Sequence, residues 1–361
     1  MTLRTTMTWL EFRRSTLGRG SACLIAAVLA AGSTVAGAAH VGKAEALTDP
    51  VEALKQPDQS IRKASADGLA GLPPFGSARA FADLKHLVSF GPRPTGSEAL
   101  EKSRQWIVSR LSESGLKVDE ERFVAATPIG NLGMANLIVR LPGSSQDVVI
   151  VCGHYDTKRF DKFRFVGAND GASSAALLME LARVLANRRF SYTLWLVFFD
   201  GEEAERQQWQ GNDNDYGSRH VVERLSASGE LNRVKALILV DMIGDAELDI
   251  HRDPASTPWL TKLEFTTAHR LGYDRYFVNE DYPVGGDDYD PWLAAGVSSL
   301  DIIDFDYGPN ARAKPSDPDW NIYWHTAKDT VEHCSSQSLE IVGRVVLGML
   351  QELENSPQLY H

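Results

Sequence analysis

The chain has 361 residues, 43% of them hydrophobic and 24% charged, which is the balance of a folded globular protein and excludes a disordered one. Its formal net charge of −11 argues against a basic binding face, so we expect no nucleic acid partner. Three cysteines exclude a disulfide scaffold. Cys152 and Cys334 could pair in an oxidising compartment, but two unpaired thiols are the simpler interpretation.

Residues 1–46 have the features of an export signal. A polar, basic stretch with the pair Arg13-Arg14 precedes an apolar run at 22–31, and small residues suited to cleavage follow before residue 46. The run is shorter than the ~20 apolar residues of a membrane helix, so we expect no stable membrane span once the signal is removed. Paired arginines are typical of twin-arginine signals, with an uncleaved anchor as the alternative. We therefore expect an exported protein, periplasmic or secreted.

The rest of the chain divides into a short lead-in and one large domain. Residues 47–76 are polar and weakly periodic, and the stretch Gly-Leu-Pro-Pro-Phe-Gly at 71–76 is typical of a break. No linker, low-complexity tract or internal repeat interrupts the sequence afterwards, so we predict a single catalytic domain at 77–361. That length is enough for a well-buried core.

Apolar, strand-like runs alternate with helical patterns through this domain. The run Val-Val-Ile-Val-Cys at 148–152 is rich in β-branched residues and lacks polar alternation, as expected of a strand buried on both faces. We predict an α/β fold with a mixed, mostly parallel central sheet and helices on both of its faces. The predicted elements in chain order are a strand at 148–152, a helix at 173–186, strands at 193–199, 236–240 and 299–303, and an amphipathic helix at 338–353.

Polar side chains follow the ends of three predicted strands. The first strand is followed by His154 and Asp156, the second by Glu202 and Glu203, and the third by Asp241. Open α/β sheets bind ligands at the carboxyl ends of their strands, so we expect these side chains at one edge of the sheet. Buried carboxylates without partners are costly, and a bound metal ion removes that cost.

Two further residues complete a metal-binding set. Asp170 lies in the turn at 167–171, and His325 lies in Trp-His-Thr at 324–326. A mixture of histidine and carboxylate suits zinc better than magnesium or calcium. Any one of these residues alone is more often a helix cap or a solvated side chain, and only the whole set favours a metal site. No HExxH pair, GxSxG elbow or phosphate-binding glycine loop suggests another chemistry.

Several motifs resemble those of the zinc aminopeptidases with a co-catalytic two-metal centre. The resemblance runs from roughly residue 80 to the C-terminal helix and rests on the segments 91–97, 153–156, 167–172, 198–203 and 325–326. It implies a base at Glu202 and two zinc ions. The ligands it implies are the bridging Asp170, with His154 and Asp241 in one site and Glu203 and His325 in the other.

A second group of motifs resembles the animal-type glutaminyl cyclases, which share the aminopeptidase fold and work with one zinc ion. These motifs are Trp209 and the segments 123–130, 153–158, 216–220, 241–244, 287–293 and 324–326. The resemblance implies a zinc-dependent glutaminyl-peptide cyclotransferase, which converts the N-terminal glutamine of peptides or proteins to pyroglutamate and releases ammonia. One zinc ion would be bound by Asp170, Glu203 and His325, with a fourth position open to substrate.

The cyclase resemblance also implies roles for the neighbouring residues. Glu202 would take a proton from the α-amine and return it to the departing ammonia. Asp241 and Asp287 would form a carboxyl pair that shares a proton, because two close carboxylates cannot both ionise cheaply. Trp209 and Trp324 would line an apolar slot around the glutamine side chain, although loop packing is the simpler role for Trp209 alone.

The main alternative is an exported two-zinc aminopeptidase that hydrolyses N-terminal residues and in which His154 and Asp241 bind the second ion. A metal-free binding protein is disfavoured, because every ligand and the base are present. Three features depart from the cyclase pattern: Asp301 stands where a histidine is usual, the segment 203–209 is one residue longer, and the loop beginning at 306–310 differs in composition. These departures concern the rim of the substrate pocket rather than the metal centre.

Overall fold

A six-stranded mixed sheet organises residues 74–360, the part of the chain that this computed structural model describes. The export signal predicted at 1–46 and most of the lead-in at 47–76 lie outside the described residues. The strands are β1 (Val118–Thr127), β2 (Gly130–Leu141), β3 (Val148–His154), β4 (Thr193–Phe199), β5 (Val234–Asp241), β6 (Ile250–Arg252), β7 (Phe277–Asp281) and β8 (Ser299–Ile303).

Seven α-helices connect or cover these strands within the described residues. Short 3₁₀ turns at Leu231–Arg233, Val331–His333 and Pro357–Leu359 supplement them. The helices are α1 (Ser77–Ser89), α2 (Glu98–Glu113), α3 (Ala172–Leu185), α4 (Tyr216–Ser228), α5 (Pro258–Arg270), α6 (Asp290–Ala294) and α7 (Ser336–Asn355). Of the helices within 74–360, none combines the length and the apolar character needed to cross a membrane.

The central sheet has the strand order β1-β2-β4-β3-β5-β8. Strands β4, β3, β5 and β8 are mutually parallel, whereas β2 is antiparallel to both β1 and β4. Strands β6 and β7 form a separate two-stranded parallel sheet. The predicted α/β class with a mixed, mostly parallel sheet is therefore confirmed.

All four predicted strands and both predicted helices are present, with small shifts at their ends. The strand predicted at 148–152 continues to His154, and the helix predicted at 173–186 runs from Ala172 to Leu185. Sequence reasoning missed the β1–β2 hairpin, because the β1 sequence Val-Asp-Glu-Glu-Arg-Phe-Val-Ala-Ala-Thr mixes charged with apolar residues and buries none of them fully. The Thr-Pro-Ile-Gly stretch at 127–130 is the turn of this hairpin.

The side chains of strand β3 pack into apolar clusters on both faces of the sheet. Its side chains alternate between faces, so Val149 and Val151 join the larger apolar cluster, whereas Ile150 and Cys152 join the smaller one. Helices α1, α2, α3, α5 and α7 supply the larger cluster, and α4 and α6 supply the smaller. Cys152 and Cys334 are both buried and unpaired, which confirms the simpler interpretation of the two thiols.

The start of helix α4 packs so closely on the end of β4 that only glycine fits there. A methyl group on Gly217 would lie 2.6 Å from the carbonyl oxygen of Asp200 and would overlap the Asn136 side chain. We expect Gly217→Ala to lower the free energy of unfolding by about 3 kcal/mol, since backbone atoms must move to admit the methyl group. Denaturant unfolding measures this change. Gly133→Ala, an exposed β2 position with open space around it, is the control and should change stability by less than about 0.5 kcal/mol.

Candidate metal centre and active site

Three neighbouring parallel strands deliver their polar residues to one edge of the sheet, as the sequence predicted. His154 is the last residue of β3, Asp241 is the last residue of β5, and Glu202 and Glu203 follow the end of β4. Asp170 arrives from the turn before helix α3. The structure thereby forms two groups in which one ligand atom from each residue lies within 4.8 Å of the others: His154, Asp170 and Asp241, and Asp170, Glu203 and His325.

Asp170 belongs to both groups because its two carboxylate oxygens face different histidines. Its Oδ1 lies 3.2 Å from His154 Nε2, and its Oδ2 lies 3.2 Å from His325 Nε2. On the far sides, His154 Nε2 is 3.1 Å from Asp241 Oδ1, and His325 Nε2 is 3.2 Å from Glu203 Oε1. The arrangement is the one expected of a bridging carboxylate between two metal positions.

The charge around these ligands is suited to a divalent cation. Burial opposes a charge on His154, but the carboxylates of Asp241, Asp156 and Asp170 outweigh it and raise its pKa well above the ordinary value. At His325 burial again opposes the charge, and Glu203 and Asp170 raise the pKa. The surrounding carboxylates therefore favour positive charge at both histidines. A metal ion supplies that positive charge instead and releases the histidine protons, so the donor set fits a metal.

Backbone contacts fix the ligands in place. Asp156 is fully buried, and its carboxylate accepts hydrogen bonds from the N–H groups of Glu202 and Glu203 at 3.3 and 3.4 Å. The same carboxylate lies 3.4 Å from Nδ1 of His154, which orients the imidazole so that Nε2 faces the site. Gly171, at φ +93°, leaves room for that imidazole, since a methyl group there would lie 3.0 Å from His154 Cε1.

Glu202 lies beside the metal ligands and has the properties of a base. The residue is 6% exposed, and its Oε2 lies 4.0 Å from His154 Nδ1. Burial and the neighbouring charge of Glu203 raise the pKa of Glu202 well above its ordinary value. A carboxyl group with a raised pKa both accepts and returns a proton near neutral pH.

Asp287 and Asp301 form a second acidic layer behind Asp241. Burial and the charge of Asp241 raise the pKa of Asp287 well above its ordinary value, in agreement with a protonated partner for Asp241. Asp241 itself accepts a hydrogen bond from the Ser174 hydroxyl at 3.2 Å. Asp301 is 1% exposed within β8, and burial together with the charge of Asp287 raises its pKa well above the ordinary value. Asp301 therefore lies inside the core, where its ionised form is disfavoured, and not at the pocket rim.

The two predicted tryptophans pack against the imidazole of His325, a candidate metal ligand. The Trp324 ring stacks on the His325 imidazole at 4.0 Å, and the Trp209 ring lies nearly parallel to it at 5.3 Å. The two indole rings are 6.2 Å apart, and both residues are partly exposed. Phe160 and Phe165 contact the same imidazole through ring edges at 5.7 Å. Aromatic rings therefore surround the His325 imidazole, while their role as a slot for the glutamine side chain stays a prediction.

Sequence reasoning gave no role to Arg93, which holds the loop that carries Asp170. Arg93 is fully buried, and its guanidinium donates to the carbonyl oxygens of Val166 at 2.8 Å and Gly167 at 3.1 Å. Burial lowers its pKa to about 10, so it remains charged at neutral pH. The motif Gly-Pro-Arg-Pro at 91–94 belongs to the aminopeptidase resemblance. Nothing local in it predicts that Arg93 contacts Val166, which is 73 residues away in the sequence.

Asp329 is a second residue that sequence reasoning missed. Its carboxylate accepts the N–H groups of Ala168, Asn169 and Asp170 at 2.8 to 3.1 Å and the hydroxyl of Tyr307 at 2.9 Å. Four hydrogen bonds to one carboxylate fix the turn that presents Asp170 to both histidines. A signal was available, since Asp329 follows His325 in a polar stretch, but spacing alone does not separate it from a solvated aspartate.

Lys158 is a buried cation at the Glu203 side of the site. Its ammonium group is 3.5 Å from Glu203 Oε2, donates to the carbonyl of Ala204 at 2.8 Å and lies 3.7 Å above the Trp209 ring. The Lys158 ammonium group therefore contacts both Trp209 and Glu203, a candidate metal ligand. Lys158 ends the segment 153–158 of the cyclase resemblance, but nothing local in that segment predicts its contact with the indole ring.

Comparisons with known proteins agree with this geometry. Residues 136–350 match Peptidase family M28. The chain is 30% identical over 293 residues to the glutaminyl-peptide cyclotransferase of Bos taurus, covering 70% of this chain and 76% of that protein. It is 29% identical over 293 residues to the glutaminyl-peptide cyclotransferase-like protein of Bos taurus, covering 74% and 72%. The solved glutaminyl cyclase of an Acidobacteriales bacterium superposes with a TM-score of 0.73 at 37% identity, covering 83% of this chain and 99% of that one.

Proposed function

Because this chain belongs to Peptidase family M28 and, within it, to the glutaminyl cyclases, we propose that it converts the N-terminal glutamine of peptides or proteins to pyroglutamate and releases ammonia. The observation that carries the proposal is the position of Glu202, a buried base beside the triad Asp170, Glu203 and His325. The partly exposed indole rings of Trp209 and Trp324 flank the same triad.

We propose that the cofactor is one zinc ion, held by Asp170, Glu203 and His325. A histidine with two carboxylates is a ligand set that zinc accepts. Zinc bound there would supply Lewis-acid polarisation of the glutamine γ-carbonyl. The choice of one ion rests on membership of the cyclase group, while the second triad, with His154 and Asp241, is the basis of the alternative.

The chain's own residues account for the proton transfers of the cyclisation. Glu202 accepts a proton from the α-amine as the amine nitrogen forms a bond to the γ-carbonyl carbon. The bond from that carbon to the side-chain nitrogen then breaks, and Glu202 returns the proton to the departing ammonia. Because the attack is intramolecular, a pocket that holds the amine against the carbonyl supplies much of the rate.

Asp287 and Asp241 complete the proposed machinery. The raised pKa of Asp287 favours its protonated form, which can donate a hydrogen bond, and Asp241 is the acceptor that we propose for it. We propose that this pair positions the α-amine and stabilises the developing oxyanion. Trp209 and Trp324 shield the reacting carbonyl from water, which favours ring closure over hydrolysis.

We also propose that the protein is exported to the periplasm or beyond, on the basis of the sequence at 1–46. Substrates would then be exported peptides and proteins, with little restriction on overall size, because only the first residue enters the pocket. Cell fractionation followed by N-terminal sequencing tests this, and protein found with an intact residue 1 in the cytoplasmic fraction alone would contradict it.

A paired peptide assay tests the catalytic function. We expect zinc-loaded protein to remove one ammonia from a peptide beginning with glutamine and to leave a matched peptide beginning with leucine intact, both followed by mass spectrometry. Release of free leucine would overturn the proposal and identify a two-zinc aminopeptidase. That alternative has a specific observation in its favour, since His154, Asp170 and Asp241 form an intact second ligand group.

A further inference from the structure

Two loops that border the metal centre are joined along one side of it. The first is 158–166, between β3 and α3, and the second is 203–209, between β4 and α4. Arg159 Nε donates to Glu205 Oε2 at 2.7 Å, and Lys158 contacts Ala204 and Trp209 as described above. The proposed catalytic mechanism uses neither the tip of the first loop nor the middle of the second.

Three cations on these loops lie exposed and unpaired. Lys162 and Arg164 on the first loop and Arg206 on the second are exposed, and none of them forms an ion pair with another residue of 74–360. The nearest acidic neighbour in sequence, Asp161, is also exposed and offsets only one of the three charges. In a chain with a formal net charge of −11, three unpaired cations on two adjoining loops are a local excess of positive charge. We refer to Lys162, Arg164 and Arg206 as the basic rim.

The basic rim lies within reach of a peptide whose first residue occupies the site. Phe163, between two of the cations, is 36% exposed and stacks on Phe160 at 4.5 Å, and Phe160 contacts His325 at 5.7 Å. The Phe163 ring is thus at most about 10 Å from the metal-binding imidazole. An extended chain advances about 3.3–3.6 Å per residue, so the second to fourth residues of a substrate can pass over Phe163.

From this geometry we propose, as an extension of the proposed cyclase function, that the basic rim selects peptides with acidic residues among the second to fourth residues, counting the N-terminal glutamine as the first. The rim cations attract carboxylates without touching the reacting atoms, so they change binding rather than chemistry. Phe163 supplies an apolar surface for the backbone and methylene groups between those carboxylates. The cations are solvent-exposed, so salt weakens the preference.

The test compares Gln-Ala-Glu-Glu-Ala with the isosteric Gln-Ala-Gln-Gln-Ala, in which only the first glutamine can cyclise. Exposed charge pairs contribute modestly, so we expect a KM for the acidic peptide that is about three- to tenfold lower in low salt, with kcat the same. In about 1 M salt the two KM values should converge. In the triple variant Lys162→Ser, Arg164→Ser and Arg206→Ser, the ratio of the KM values should fall to about one in low salt.

Lys262→Ser is the matched control. Lys262 is an exposed lysine on α5 and forms no ion pair with another residue of 74–360. Thr257, directly before this helix, hydrogen-bonds to Ser299 at the start of β8, the opposite end of the sheet from the candidate metal ligands. The Lys262→Ser variant should leave the KM ratio unchanged. Equal KM values for the two peptides in low salt, or a ratio that survives the triple substitution, would overturn the basic rim as a specificity element. Absence of ammonia from both peptides would instead contradict the proposed cyclase function.

Discussion

Replacing Glu202 with glutamine is expected to lower kcat for cyclisation by about 10²- to 10⁴-fold, because an amide cannot accept the α-amine proton. The side chain keeps its shape, so the substrate pocket and the zinc ligands remain in place. Stability should not fall, and it should rise slightly, since burial and the neighbouring charge of Glu203 disfavour the ionised form of Glu202. Stopped assays of ammonia release, with zinc content and thermal unfolding measured on the same sample, separate the two effects.

Glu202→Asp is the control for that variant. It keeps a carboxylate but withdraws it by one methylene, so we expect activity between those of the wild type and Glu202→Gln. If Glu202→Gln retained more than about a tenth of the wild-type kcat, another group would have to be the base. Asp287, the next buried carboxyl group with a raised pKa, would then be the candidate to substitute.

Substitution of Asp170 is expected to have the second large effect, because this carboxylate belongs to both ligand groups. We expect Asp170→Asn to lose bound zinc and to lower kcat/KM by about 10³-fold or more. Asp241→Asn removes a residue of the second group only, so with one zinc per chain it should keep its full zinc content while losing activity. Elemental analysis of the purified proteins, with the wild type as reference, gives the zinc content directly.

The same measurement decides between one and two metal ions. One zinc per wild-type chain and one per Asp241→Asn chain would agree with the cyclase proposal. Two in the wild type and one in Asp241→Asn would contradict it and would favour the aminopeptidase alternative. Retention of stoichiometric zinc by Asp170→Asn would show that Asp170 is not a ligand.

The chain's sequence determined the frame of the active site. Runs rich in β-branched residues and without polar positions, such as 148–152, indicate by themselves that a strand is buried. A strand covered on both faces has no polar residues alternating with its apolar ones. Once those strands are parallel neighbours, their carboxyl ends meet, so His154, Glu203 and Asp241 had to converge. Signals of this kind lie within short segments of the chain, so they can be recognised from the sequence alone.

Other features were decided only by tertiary structure. The β1–β2 hairpin was missed because its stability comes from pairing along one edge of the sheet, not from a distinctive local pattern. The roles of Arg93 and Asp329 depend on which carbonyl and N–H groups the 166–170 turn leaves unsatisfied, and that choice is fixed only when distant segments pack together.

The surroundings of the candidate ligands show the same difference between local sequence and packing. The resemblance to glutaminyl cyclases implied that Trp209 and Trp324 lie near the metal, but only packing stacked both indole rings against His325 and set Lys158 over one of them. Asp301 looked like a variation at the pocket rim, yet the parallel pairing of β5 with β8 buries it in the core beside Leu239. The sequence determined which groups could do chemistry, because the ends of the strands that carry them can be recognised from short stretches of sequence. Tertiary structure decided how those groups are charged and positioned, because burial and electrostatic fields are sums over residues far apart in the chain.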